Sequence, residues 1–385
     1  MSLGESLSTY WETIQEGLFP RLEGVVGALT PLYKKLVTVL EVARLEIFLP
    51  HWRGVPGRPE AERAALARAF VAKAVFNLPT TRSLIDRLQF DKTLRSLCGW
   101  STLSEVPSEA TFSRAFQEFA DLELPSRVHE ALIRQALEDR IVGHISRDAT
   151  AIEGHEKPHR AEKPETAAPT DKPKAKRGRP RKGEQRLPTK EPSRIERQAG
   201  MTLARMLADL PRGCNIGCKR NAKGHQESWT GFKLHIDTAD GDIPISCILT
   251  SASVHDSQVA IPLATMTAGR VDNLYDLMDS AYDVAAIKNH SRALGHVPIV
   301  AINPRRDSAL KQELALEEKR LALVGHSMAE DIRYNQRSSA ERVNGNFKDN
   351  HGGRTVRVRG PDKVMCHLMF GIVVIAATQI FRLLT

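Results

Sequence analysis

A long segment in the middle of the chain, residues 156 to 198, cannot contribute to a hydrophobic core. It consists mainly of Lys, Pro, Glu, Arg and Ala and has almost no large apolar side chains. Such a composition buries too little apolar surface to offset the entropy lost on ordering, so we predict a disordered basic linker. Any compact fold must therefore be assembled from the residues on either side of this linker.

The residues before the linker are rich in strong helix formers. Residues 60 to 76 and 81 to 97 carry apolar side chains at helical spacing, and Ser108 is a candidate N-cap for a third helix. We therefore expect a helical N-terminal domain over residues 1 to 138. The helix-turn-helix signal is weak, so DNA binding and dimerisation both stay open as its role.

Strand patterns begin at residue 141 and dominate the chain after Trp229, where we expect ordered structure to resume. Residues 231 to 237 and 243 to 249 alternate apolar and polar side chains, with the turn dipeptide Asp240-Gly241 between them. Residues 273 to 279 and 297 to 302 are further strand candidates, separated by a predicted helix over 284 to 294. This order predicts an α/β domain over residues 139 to 385, with a mixed sheet covered by helices.

Composition narrows the class of protein. The formal net charge of +9 favours a polyanionic partner, either nucleic acid or an anionic membrane surface. The five cysteines are sparse and odd in number, which argues against a disulfide scaffold and for a reducing compartment. The apolar run over residues 368 to 377 covers about half of the roughly 20 residues that a bilayer requires. We therefore predict a buried core helix there, with a membrane anchor as the alternative.

Two aspartates lie where α/β folds place metal and ligand chemistry. Asp148 follows the β-branched run at residues 141 to 145, and Asp279 ends another predicted strand. An acidic residue after a strand is more often a turn or cap residue, so each alone is a weak signal. Asp256 is a rival for the second position, although we expect it to cap a helix that begins near Ser257.

A third acidic residue belongs to a spaced pattern. Tyr334, Arg337, Glu341 and Lys348 would lie within an arc of about 60° on a single helix. That stripe would carry an aromatic hydroxyl, two cations and one carboxylate. A solvated helix face with intrahelical ion pairs would produce the same pattern.

This spacing resembles the Y-R-E-K signature of bacterial insertion-sequence transposases, which have a DDE catalytic core with the RNase-H-like fold. Residues 148 to 153 and 279 to 283 resemble the surroundings of that family's first and second Asp, with Ala281 where Gly is usual. Residues 231 to 235 and 253 to 257 resemble its intervening strands and turn. The resemblance covers roughly residues 140 to 385 and extends, less specifically, to the N-terminal helices.

The resemblance implies a DNA transposase that cleaves at transposon ends and transfers the cut strand into target DNA. Two Mg²⁺ ions, with Mn²⁺ as a substitute, would clamp this in-line displacement and would prefer carboxylate oxygens. The implied metal ligands and catalytic residues are Asp148, Asp279 and Glu341. The implied phosphate-binding residues are Tyr334, Arg337 and Lys348. Terminal inverted repeats and target DNA would be the partners of a homodimer in a cytoplasmic, nucleoid-associated setting without a membrane.

The predicted linker adds a second possible DNA contact. Arg177, Arg179 and Lys182 lie in a Pro-rich tract that resembles an AT-hook core, which would fit a narrow A·T minor groove. A generic basic linker that binds DNA without preference is the alternative. For the whole chain, the alternative to an enzyme is a non-catalytic DNA-binding protein derived from a transposase.

Overall fold

The computed structural model describes residues 12–50, 61–137, 140–158, 192–220 and 224–384. The AT-hook-like residues Arg177, Arg179 and Lys182 lie outside these ranges, as does most of the predicted linker. That part of the prediction therefore stays a prediction.

Helices alone form the described part of the chain before residue 138. A π-helical turn, Thr13–Leu18, is followed by α1 (Phe19–Val26), α2 (Pro31–Ala43), α3 (Arg63–Val75), α4 (Thr81–Phe90), α5 (Lys92–Cys98), α6 (Glu109–Asp121) and α7 (Leu124–Leu137). Ser108 precedes α6 in an extended N-cap conformation, as predicted. The single helix predicted over 81 to 97 is two helices, because the Asp91 carboxylate accepts a hydrogen bond from the Leu94 N–H at 2.8 Å and starts α5.

Within the described ranges, six strands form one mixed sheet, as predicted. They are β1 (Ile141–Glu153), β2 (Asn215–Arg220), β3 (Gln226–Ala239), β4 (Ile243–Ser251), β5 (Asp272–Met278) and β6 (Val297–Val300). The order is β2-β3-β1-β5-β6, with β4 also paired to β3. β1 is antiparallel to β3 and parallel to β5. Gly241 in the β3–β4 turn has φ +75°, which explains the predictive value of the Asp-Gly dipeptide.

β1 is longer than its β-branched run, and the prediction that Asp148 follows a strand is wrong. Pairing with β3 continues from Ile145 to Glu153, so Asp148 lies inside β1 opposite Ile236. Pairing with β5, however, stops at Arg147. Asp148 therefore lies just beyond the last residue of β1 that pairs with β5, next to the carboxyl end of β5.

Ordered structure resumes well before Trp229, contrary to the prediction. α8 (Arg194–Gln198) begins within the predicted linker, where Ser193 and Glu196 form a reciprocal capping box. α9 (Leu203–Asp209) and β2 follow. The buried side chain of Met206 on α9 belongs to a small hydrophobic cluster with Ile261 and Tyr282, which explains how this short segment is held.

The remaining helices cover the sheet and extend from it. They are α10 (Ala260–Ala268), α11 (Ala285–Ala293), α12 (Ser308–Val324), α13 (Ala329–Tyr334), α14 (Ser338–Asn350) and α15 (Pro361–Leu384). α15 is long and apolar enough to cross a membrane, but most of it is buried within the fold, as predicted for a core helix. Phe370 on α15 stacks on Phe70 of α3, with ring centroids 5.8 Å apart. One hydrophobic cluster thus joins the N-terminal helices, α15 and part of the sheet.

The centre of the sheet holds a buried ion pair. Arg147 on β1 donates two hydrogen bonds to the Asp237 carboxylate on β3, both at 2.8 Å. The two side chains are 2% and 0% exposed. Thr267 also donates to Asp237, at 2.7 Å, and so adds α10 to the pair.

Breaking this pair should be costly, because it leaves a buried charge without its partner. We expect Arg147→Met to lower the free energy of unfolding by about 3–5 kcal/mol, measured by urea denaturation. The double variant Arg147→Met/Asp237→Leu should recover most of that loss. Arg354→Met, which breaks an exposed ion pair with Asp349, should cost less than about 1 kcal/mol. An equally small loss in Arg147→Met would contradict a stabilising role for the buried pair.

Candidate active site

Two of the predicted carboxylates lie side by side at the end of the β1–β5 pairing. Asp148 follows Arg147, and Asp279 follows Met278, which is the register partner of Arg147. The Asp279 carboxylate accepts a hydrogen bond from the Ala281 N–H at 2.9 Å and caps a short 3₁₀ turn. The parallel register therefore brings these two residues, far apart in sequence, to one edge of the sheet.

The alternation of β1 points Asp148 towards α14. Ser146, two residues earlier on the same face, accepts a hydrogen bond from the Ser339 hydroxyl at 3.0 Å. Asp148 accepts one from the side-chain amide of Asn344, also at 3.0 Å. Arg147, between them, points to the opposite face of the sheet. These contacts place the helix that carries Glu341 over the strand that carries Asp148.

Glu341 does not join the two aspartates in a ligand set. Its side chain is 58% exposed, and its carboxylate pairs with the Arg337 guanidinium at 2.7 Å. Within the described ranges, no three His, Cys, Asp or Glu side chains are grouped so that they could hold one metal ion. The structure thus brings Asp148 and Asp279 together and leaves Glu341 paired with an arginine.

The four spaced residues do not lie on one uninterrupted helix, contrary to the prediction. Tyr334 ends α13, Arg337 ends a 3₁₀ turn over Asn335–Arg337, and Glu341 and Lys348 lie on α14. The interruption has a packing reason, since α13 contacts β6 whereas the 3₁₀ turn contacts β1 and β5. The Arg337 guanidinium still lies 5.7 Å from the Tyr334 ring centroid, so these two residues remain neighbours.

Burial makes the charged form of the aspartates unfavourable. It raises the pKa of Asp148 to about 6, with Asp279 and Asp256 adding to the rise, while the Ala149 N–H and Arg337 oppose it. Burial also raises the pKa of Asp279. Raised pKa values in two neighbouring carboxyl groups are typical of a functional site that binds a cation or a proton.

Arg337 is the shared counter-charge of this region. Burial lowers its pKa, but Tyr334, Glu341, Asp148 and Asp279 raise it more, so the net shift is upward. One guanidinium therefore balances all three predicted carboxylates. A cation of higher charge at the same place would compete directly with it.

Two further residues lie here, and one of them, Asp256, was the rival candidate for the second metal position. Asp256 pairs with the Lys233 ammonium at 2.9 Å. The prediction that Asp256 caps the following turn is wrong, because His255 occupies the N-cap position. The buried Tyr282 hydroxyl has no hydrogen-bond partner among the described residues. Burial, Asp256, Asp148 and Asp279 raise its pKa. Both residues belong to segments whose resemblance was visible in sequence, but their contacts depend on the fold.

Comparison with known proteins decides the family. A family model described as the transposase DDE domain matches residues 209–376, and a second, described as a transposase domain (DUF772), matches residues 28–118. The chain therefore carries two transposase domains, and the second of them along the chain is the DDE domain. Its helical N-terminal region followed by a mixed sheet agrees with an RNase-H-like transposase core, as predicted. No curated protein and no solved structure matches the transposase.

The first match begins after the predicted linker. It includes Asp279 and Glu341, whereas Asp148 precedes it. The Y-R-E-K assignment and the ligand roles of the three carboxylates therefore stay predictions for this transposase. Because transposases act on DNA, the family matches support DNA as its partner.

The raised pKa of Asp148 predicts a pH-dependent stability. Its ordinary value is 3.8, so protonation stabilises the fold below about pH 4, and this contribution is lost as the pH rises through about 6. Asp148→Asn should therefore be more stable than the wild type at pH 7 in EDTA, by about 1–3 kcal/mol, and nearly equal to it at pH 4. Urea denaturation at several pH values would test this. Asp86→Asn, at an exposed position on α4, should show no such dependence, and a pH-independent difference for Asp148→Asn would contradict the assignment.

Proposed function

We propose that this transposase catalyses divalent-metal-dependent DNA cleavage at transposon ends and strand transfer into target DNA. Asp148, Asp279 and Glu341 would be the ligands of two Mg²⁺ ions, with Mn²⁺ as a substitute. The observation that carries the proposal is the pair of partly buried carboxylates at the end of the β1–β5 pairing. The reaction would comprise phosphodiester hydrolysis followed by transesterification.

The residues present fit hard divalent cations by their chemistry. Asp148 and Asp279 supply the oxygen ligands that Mg²⁺ prefers. Burial disfavours the negative charge of each carboxylate, and a bound cation would offset that cost. When bound, the cations supply Lewis acidity and stabilise charge on the attacking and leaving oxygens. Glu341 is exposed enough to exchange its arginine partner for a cation by side-chain rotation.

The cationic residues would orient the DNA. Arg337 suits a forked contact to a phosphate, and Lys348 suits a point-charge contact. Burial, Lys219 and Arg354 lower the pKa of Lys348, so positive charge gathers beside Asp148. The Tyr334 hydroxyl would contact a phosphate of the same DNA strand.

Further DNA contacts and assembly complete the proposal. Arg177, Arg179 and Lys182 would add a minor-groove contact or a general electrostatic one. Residues 1 to 138 would serve as a unit for DNA-end binding or dimerisation, and 139 to 385 as the catalytic unit with its basic insertion. We further propose a homodimer on DNA and a cytoplasmic, nucleoid-associated location.

One observation favours the non-catalytic alternative. Glu341 is paired with Arg337, so the described residues contain no ready-made set of three metal ligands. A DNA-binding protein derived from a transposase would have the same fold and the same basic charge. Cleavage assays separate the two functions.

The catalytic proposal predicts Mg²⁺-dependent cleavage of duplexes that span the two ends of the element carrying this gene. Asp148→Asn, Asp279→Asn and Glu341→Gln should each slow nicking at least about 10³-fold, since each removes a cation ligand from the reaction. Denaturing gels of labelled duplexes would measure the rates. Glu330→Gln, at an exposed position on α13, is the matched control and should cut normally. DNA binding by a wild-type protein that does not cut would establish the non-catalytic alternative.

The Arg337–Glu341 pair predicts that metal and DNA binding are coupled. Without DNA, Arg337→Gln should bind Mn²⁺ about 5-fold or more tightly than the wild type, because a competing positive charge is gone and Glu341 is released. The same substitution should weaken duplex binding and reduce its salt dependence by about one charge. Electron paramagnetic resonance of free Mn²⁺ and fluorescence anisotropy would measure the two affinities.

A control separates this coupling from a change in net charge. Arg320→Gln removes the same charge from an exposed position on α12 and should leave both affinities unchanged. Weaker Mn²⁺ binding by Arg337→Gln would show that the guanidinium supports the metal site and does not compete with it.

A further inference from the structure

Asn344 is a buried amide in contact with one of the predicted carboxylates, Asp148. It lies on α14 one turn after Glu341 and is 8% exposed. Its side-chain Nδ2 donates a hydrogen bond to Oδ2 of Asp148 on β1, at 3.0 Å. It therefore connects the helix of the third predicted carboxylate to the side chain of the first.

The other half of this amide is unsatisfied. Among the described residues, Oδ1 of Asn344 is buried and has no hydrogen-bond partner. Burying a polar atom without a partner is unfavourable, and an apolar side chain of similar shape would avoid this cost. Packing alone therefore does not account for an asparagine at this position.

The orientation of the amide follows from the charge of its neighbour. If the amide were flipped, its oxygen would face a carboxylate oxygen, and the two would repel each other. The Nδ2 donor is thus the group that an ionised Asp148 requires. Together with the Ala149 N–H, it gives the carboxylate two donors without adding a charge to the site.

We propose that Asn344 is a positioning residue, which fixes the Asp148 carboxylate as a metal ligand and sets its distance from Glu341. This inference rests on the proposed metal-dependent function. Hydrogen bonds to a ligating carboxylate fix its orientation, and their removal weakens metal binding even though the ligands remain. The position of α14 is fixed separately, since Arg342 on its exposed side makes a forked contact to Asp242 at 2.7 and 2.9 Å.

Substitution by an apolar residue of similar shape tests the proposal. Asn344→Leu should raise the Kd for Mn²⁺ of the DNA-free protein by about 10- to 100-fold, measured by electron paramagnetic resonance of free Mn²⁺. In EDTA its urea midpoint should stay close to that of the wild type, because the hydrogen bond that Asp148 loses is offset by removal of the unsatisfied Oδ1 of the buried amide. A purely structural role would instead lower the midpoint. Asn346→Leu, which changes a less buried asparagine bonded to Asn350 on the same helix, is the control and should bind Mn²⁺ normally.

An unchanged Mn²⁺ affinity in Asn344→Leu would overturn the proposal, whether or not the urea midpoint falls. A further variant distinguishes this result from failure of the proposed function. Asp279→Asn should weaken Mn²⁺ binding whatever Asn344 does. If Asp279→Asn also binds Mn²⁺ normally, the carboxylate site itself is wrong and the inference is overturned with it.

Discussion

The buried pair of Arg147 and Asp237 is the interaction on which the geometry of the site depends. It joins β1 to β3 where both side chains are removed from water, with two parallel hydrogen bonds. Because side chains alternate along a strand, a slip of one residue would turn Arg147 to the other face and leave both charges unpaired. The pair thus selects the register in which Asp148 faces α14.

The largest hydrophobic cluster of the described residues extends this constraint to the N-terminal helices. α15, the last helix in the sequence, packs against α2, α3, α6, α7 and β4. The stacked rings of Phe70 and Phe370 lie at this junction. The N-terminal helices are therefore packed against the C-terminal part of the α/β region, and their position relative to the sheet is part of the same fold.

Much of the sheet could be predicted from sequence because alternation and turn chemistry are local. Residues 231 to 249 were predicted as a hairpin, since the sequence shows both the turn dipeptide and the alternation of apolar and polar residues in the two strands. The length of β1 was not predictable, because its second half is held by pairing with β3 across the insertion. The same holds for α8 and α9, which are too short to show a clear helical period and depend on tertiary packing.

The candidate site shows the same division between local and non-local information. Both aspartates were predicted from strand patterns and from the family resemblance, although Asp148 lies inside its strand and not after it. The pairing of Glu341 with Arg337 was foreseeable from their spacing, because residues four apart on a helix are neighbours. The contact of Asn344 with Asp148 was not, since it joins two elements nearly two hundred residues apart.

The strand order also bears on how the chain acquires its structure during synthesis. β1 emerges from the ribosome before both of its sheet neighbours, β3 and β5, and the long insertion separates it from β3. Closing so large a loop is slow, and until then both edges of β1 present unpaired backbone groups to other chains. The polar and charged side chains at Ser146, Arg147 and Asp148 disfavour pairing of the exposed strand with strands of other chains. The side chains that contact α14 and Asp237 in the folded protein thus also disfavour association of the unpaired strand.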